Sequence, residues 1–209
     1  MIELHMWPTP NAHKVTLFLE ETGLPYRTVE VNIGAGDQFK PEFLAISPNN
    51  KMPAIVDPDG PDGRPISVFE SGAILLYLAE KTGRFLPADA RGRYEVLQWL
   101  MFQMAGVGPM FGQVHHFYRF APDDIAYAKD RYAKEQRRLY ATLDKQLSAN
   151  AYVAGADYSL ADIAIYPWVA RHDWHPVDLA GDYPDVKRWY DAVSARPAVE
   201  RGMAVPAAT

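Results

Sequence analysis

Two stretches, residues 47–57 and 69–80, hold the groups best placed to do chemistry. In the first, Ser47-Pro48-Asn49-Asn50-Lys51-Met52 leads into Pro53 and the apolar run Ala54-Ile55-Val56. Proline cannot donate to a central ladder, so Pro53 belongs at the start of a strand, and a cis Met52–Pro53 bond there would leave the Met52 amide and carbonyl facing outward. Those two groups could pair with an extended peptide as one more strand would. In the second stretch, Glu70 and Ser71 stand where a turn meets a helix expected over residues 71–81, whose free first-turn amides favour a bound carboxylate. The pair would also serve as an ordinary helix start. Read together, the two stretches place peptide-pairing groups beside an anion site.

On these residues the chain resembles the glutathione-binding half of a glutathione transferase, built on a thioredoxin-like domain. The resemblance implies glutathione as the ligand, a cis proline after Met52, Glu70 and Ser71 at the γ-glutamyl end, and a helical second domain that completes the site. The chain has no cysteine. No structural disulfide, thiolate metal site or protein thiol nucleophile is therefore available, and any thiol chemistry must use a sulfur that arrives with the ligand.

Many transferase classes carry a tyrosine, serine or cysteine near the end of the first strand. This chain has Trp7-Pro8-Thr9-Pro10-Asn11-Ala12-His13-Lys14 there, with none of the three. Thr9 and Asn11 remain as donors at the first helix's N-terminus, where partial positive charge favours a thiolate. That segment, with Ser47-Pro48-Asn49-Asn50-Lys51 and Gln113-Val114-His115-His116, resembles the bacterial nu-class transferases, whose main activity is glutathione-dependent reduction of disulfide bonds. The similarity also extends to the yeast nitrogen-regulating prion domain. It implies Thr9 and Asn11 as catalytic groups near sulfur, Gln38 and Lys51 toward the glycyl side, and Met52 with Pro53 as the backbone partner. Glu70 and Ser71 would hold the γ-glutamyl end, and Arg131 would reach across from the neighbouring subunit of a homodimer. Gln38 as a loop residue, Asn11 as a cap, and Arg131 and Lys51 as solvated charges are the competing structural readings. His13 and Lys14 could feel the sulfur, but a place on the helix surface is the expected one. His115 and His116, adjacent on a helix, diverge by about 100° and complete no ligand set, so packing and hydrogen bonding are expected of them and no metal.

The elements that must position these groups follow an order βαβαββα. Residues 2–7 alternate like a short strand, and a helix is expected over 12–22, with Val15, Phe18, Leu19 and Thr22 as its buried stripe and Gly23 as its stop. Strands follow at 26–31, 54–57 and 66–68, with a short helix at 41–44. Between Gly83 and Arg93 the strand pattern ends and helical periodicity takes over. The expected architecture is α/β plus all-α: a thioredoxin-like glutathione-binding domain over residues 1–85 and an all-helical domain over 91–209. In the second, a helix from about Arg91 to Tyr118 should kink at Gly106-Val107-Gly108-Pro109, a helix should run over 122–150, and Ser159 with Asp162 has the spacing of a capping box. Pro184 and Pro197 should bracket the final helix.

Composition sets the outer limits. Hydrophobic residues at 48% can supply cores for two domains, and no window of about 18 uncharged apolar residues suggests a membrane span. Residues 1–5 lack a basic region followed by an apolar core, so a cytoplasmic location is expected. With a net charge of −5 and no lysine or arginine stripe, nucleic acid is not an expected partner. The reading is a homodimeric disulfide oxidoreductase that uses bound glutathione thiolate on small disulfides. Two alternatives stay open: a conjugating transferase or peroxidase acting on electrophiles, and a non-catalytic glutathione-binding regulatory module.

Overall fold

The computed structural model describes residues 1–206, which fall into two compact units: Met1–Arg84 together with residues 197–206, and Phe85–Arg196. In the first unit, strand β1 (Ile2–Met6) alternates buried and half-buried side chains and has a partner on each side. Parallel β2 (Tyr26–Glu30) pairs with it from Ile2 with Tyr26 to Met6 with Glu30. Antiparallel β3 (Ala54–Asp57) sets Ala54 opposite His5, and β4 (Ile66–Phe69) sets Phe69 opposite Ala54. The sheet order is β2-β1-β3-β4.

Helix α1 (Pro10–Thr22) makes the crossover from β1 to β2. Thr9 is its N-cap, with Oγ1 accepting from the Ala12 amide at 3.4 Å, and Gly23 ends it in the left-handed region at φ 71°. Eight successive residues, Ala12 to Leu19, are buried, where amphipathic spacing predicts a single stripe. The cause is the last described helix. Residues Pro197–Ala204 (α10, counting the helices below) pack in the first unit, so α1 is covered on a side that its own sequence leaves unmarked. The Gly202 carbonyl accepts from Thr16 Oγ1 at 2.7 Å and lies 3.3 Å from His13 Nδ1. A Cβ on Gly202 would sit 2.8 Å from Leu17 Cδ2 and 3.0 Å from Leu17 backbone, so only glycine allows this approach. Pro197 thus opens a helix, as proline does at a first helical position, where the sequence reading has it closing the final one. The helical stretch expected to run on to residue 209 belongs to the second unit only up to Arg196.

The remaining helices of the first unit are α2 (Pro41–Leu44) and α3 (Ser71–Thr82). Val31, Phe43 and Ala54 form a small core cluster, against which Ile46 and Met52 pack.

The second unit consists of α4 (Ala90–Phe102), α5 (Gly108–His115), α6 (Ala126–Leu147), α7 (Leu160–Val169), α8 (Leu179–Asp182) and α9 (Pro184–Ser194). At the expected kink the helix does not break. It widens into a π-helical turn at Gln103–Val107, and a second one follows α5 at His116–Phe120. All ten residues of α7 are buried, and its capping box is complete: the Ser159 amide donates to Asp162 Oδ2 at 2.9 Å. Asp162 Oδ1 accepts from the Val153 amide and from Trp189 Nε1, so both oxygens are used within the core, where burial raises its pKa. His115 is buried in a polar chain, with Nε2 2.8 Å from His175 Nε2, whose Nδ1 lies 2.7 Å from the Tyr140 hydroxyl. Burial first, then the charges of Arg171 and Arg119, pushes His115 down to about 4, and burial lowers His175 as well. Both rings are neutral at pH 7. Among the described residues no helix is long and apolar enough to cross a membrane.

Candidate functional site

Strand register gathers the candidate residues. His5, Ala54 and Phe69 stand side by side across β1, β3 and β4, so the segments just beyond them leave the sheet at one edge. Those segments are Thr9 with Asn11, Met52 with Pro53, and Glu70 with Ser71. Because β2 runs parallel to β1, the loop that follows Glu30 and carries Gln38 departs from that edge too.

Each segment is held by local chemistry. Thr9 caps α1 and Asn11 lies in its first turn, both half-buried, beside amides that an α-helix leaves without intrahelical partners. The loop before β3 is fixed from within: the Ser47 hydroxyl donates to the Lys51 carbonyl at 2.7 Å, and the Asn50 amide to the Ser47 carbonyl. The Met52–Pro53 bond is cis. The Met52 side chain is packed against the small core cluster, and neither its amide nor its carbonyl is used in a backbone hydrogen bond among the described residues. Lys51 is exposed. Gln38 is half-buried in a 3₁₀ turn, Asp37–Phe39, that Asp37 anchors by accepting from the Asn32 amide; the Gln38 Oε1 is buried without a hydrogen-bond partner.

At the third segment, Glu70 adopts φ 69° and ψ 115° as the residue that turns β4 into α3. Ser71, the first helical residue, is buried at 4% exposure. Its Oγ accepts from Lys14 Nζ at 3.2 Å. The expected surface position for His13 and Lys14 is therefore corrected: they are 3% and 1% exposed, because α1 is enclosed on all sides. Burial pushes Lys14 down to about 7 against the favourable charge of Glu70. Amphipathic spacing carried no signal for this residue.

Arg131 stands apart from these groups in the chain, on α6 of the second unit. It is exposed and lines a groove of about 620 Å³ with Met110, Tyr127, Asp130, Lys134 and Arg138. Among the described residues no cluster of three histidine, cysteine or carboxylate side chains could hold a metal ion.

Comparison with known proteins agrees with the geometry. Residues 9–81 match the glutathione S-transferase N-terminal domain and residues 94–197 the C-terminal domain. The disulfide-bond oxidoreductase YfcG of Escherichia coli is 54% identical over 204 residues, spanning 97% of this chain and 94% of that protein. A glutathione transferase from Burkholderia graminis, solved with two glutathione molecules per subunit, superposes with a TM-score of 0.92 at 48% identity, covering 98% of this chain and 88% of that one. Another from Pseudomonas putida, with one glutathione disulfide per subunit, gives 0.93 at 46% identity and coverages of 98% and 91%. The fold, both matched domains and full-length identity above one half lead to one assignment: the chain belongs to the glutathione S-transferase superfamily.

Proposed function

We propose that the protein reduces small disulfides with glutathione, using the ligand's thiolate where other enzymes use a protein cysteine. The observation that carries this reading is the convergence, at one sheet edge of a cysteine-free chain, of a helix N-terminus capped by Thr9 with the free Met52 backbone and the Glu70–Ser71 turn. The YfcG relative carries the name of a disulfide-bond oxidoreductase.

In this reading the Met52 amide and carbonyl pair with the cysteinyl backbone of glutathione, and Gln38 and Lys51 serve its glycyl end. Ser71 and the first amides of α3 take the γ-glutamyl carboxylate, and the Glu70 carboxylate takes the adjacent ammonium. The sulfur then lies by Thr9, Asn11 and the α1 amides, which favour its ionised form. The first unit is the glutathione domain. Arg131 contributes to the ligand of the partner subunit in a homodimer, and the setting is cytoplasmic.

The chemistry runs in two exchanges. Glutathione thiolate attacks one sulfur of a disulfide RSSR′, forming a glutathione–SR bond as the S–S bond breaks; R′S⁻ leaves and takes a proton from solvent. A second glutathione thiolate attacks the glutathione sulfur of the mixed disulfide, yielding glutathione disulfide and RSH. Thiolate fraction and access govern both steps, so no general base on the protein is needed.

Turnover of hydroxyethyl disulfide, compared with a chloronitrobenzene and a peroxide, tests the assignment. The disulfide should be the preferred substrate, and Asn11→Ala, with Thr9→Ala second, should lower its turnover and raise the thiol pKa of bound glutathione, read by thiolate absorbance. Removing an oriented donor from a charge that exists only in a transition state costs about 2.7–4 kcal/mol. The effect here should be smaller, because the thiolate already exists in the ground state and neighbouring amides compensate. Preference for the chloronitrobenzene would replace the reading with a conjugating transferase, and absence of turnover on all three with a binding module.

A further inference from the structure

Among the described residues Lys14 is the one buried lysine or arginine, and the mechanism above leaves it without a task. Lysine is almost never fully buried unless paired, yet Lys14 is 1% exposed, inside a helix with buried neighbours on either side. Its Nζ donates across to the Ser71 hydroxyl, at the first residue of α3. An oxygen that accepts from an ammonium on its inner side has its own hydrogen turned away from that ammonium. The same hydroxyl is the group assigned above to the ligand carboxylate.

We propose that Lys14 is a positioning residue for the carboxylate end of glutathione, its ammonium aiming the Ser71 hydroxyl at the ligand. This rests on the placement of the γ-glutamyl end at Ser71. Glu70, at the entry to α3, is the charge that acts on it. His13, its neighbour on α1, turns to the Gly202 carbonyl of α10, where Arg201 is paired with Glu20. On β1, His5 and Glu3 face one another, and at the far end of α3 Lys81 is held by Asp57.

Burial pushes Lys14 down to about 7, so the empty site gives up its proton far more readily than an exposed lysine would. A second carboxylate beside it favours the ammonium and raises that value. The sign follows from linkage. Below pH 7 the ammonium is present before and after binding, and affinity does not depend on it. As pH rises through 7, the empty site gives up its proton while the filled site keeps it, so affinity falls by up to about tenfold per pH unit until the raised value is reached. Glutathione itself would mask this, since its thiol loses a proton on binding; S-methylglutathione has no thiol proton to lose.

The experiment is calorimetric titration of S-methylglutathione into the intact protein at pH 6.5–7.5, in buffers of different ionisation enthalpy, which counts protons directly. Net proton uptake near neutral pH, abolished in Lys14→Met, is the expected result. Binding by the wild-type protein without proton uptake overturns the proposal and leaves the glutathione site intact, as does uptake that persists in Lys14→Met. Failure of both glutathione and S-methylglutathione to bind removes the site itself. Should Lys14→Met not fold, Lys14→Arg takes its place: a guanidinium keeps its proton across this range, so uptake should again be abolished, and uptake that persists overturns the proposal.

Discussion

Glu70 adopts a backbone conformation, φ 69° and ψ 115°, that side-chain-bearing residues rarely take. Holding a non-glycine residue there costs on the order of 1–3 kcal/mol, and such costs collect where a chain must present a ligand-binding group. Glycine at this position would relieve the strain and lose only about 0.5–1 kcal/mol through its freer unfolded state. Glu70→Gly should therefore leave the urea midpoint unchanged or raised, while the thermal stabilisation by millimolar glutathione is lost; Glu70→Gln should lose the ligand effect with no gain in stability. A drop in the Glu70→Gly midpoint would show that the carboxylate serves the fold. Residue by residue, the placements legible in the sequence lie at breaks in pattern: Thr9 as the cap of α1, Pro53 as the cis residue before β3 and Ser71 at the start of α3. Lys14 was not legible, because nothing local marks a lysine inside a helix as enclosed. That depends on partners far along the chain, α3 at Ser71 for Lys14 itself and α10 for its neighbours His13 and Thr16.

At the scale of elements, α1 and α10 approach closely at Gly202. Gly202→Ala would press a methyl group into Leu17 backbone, which cannot rotate away. Overpacking of this kind commonly costs about 1–3 kcal/mol, and separation of the helices would also stretch the bond from Thr16 to the Gly202 carbonyl. Urea unfolding should show a loss in that range, and a loss below about 0.5 kcal/mol would mean that the helices part freely. The strands, α1, α3 and the capping box at Ser159 follow from alternation, Gly23, Gly83 and the Ser159–Asp162 spacing, all local signals. The π turns and α10 do not. A widened turn keeps helical periodicity nearly intact, and Pro197 marks a helix start and a helix stop equally well until its packing partner is known.

At the scale of the molecule, the proposed role for Arg131 couples ligand binding to assembly. Arg131 is exposed on α6 and outside the first unit, so replacing it should not disturb either core. Arg131→Ala should weaken glutathione binding at an unchanged melting temperature, with sedimentation still reporting a dimer. A protein that sediments as a monomer and retains full activity would remove both the dimer and the shared site from the reading.

The return of α10 to the first unit also bears on how the chain is made. Thr16 and Gly202 are 186 residues apart in sequence yet share a hydrogen bond. At translation rates of roughly 5–20 residues per second, α1 waits roughly 10–40 s for the wall that encloses it. Through that interval the nascent first unit exposes Leu17, Thr16 and His13, and a lysine that is buried in the finished protein stands nearer to water. The first domain in the sequence is thus among the last to close, and its aggregation risk belongs to the ribosome-bound chain more than to the finished protein.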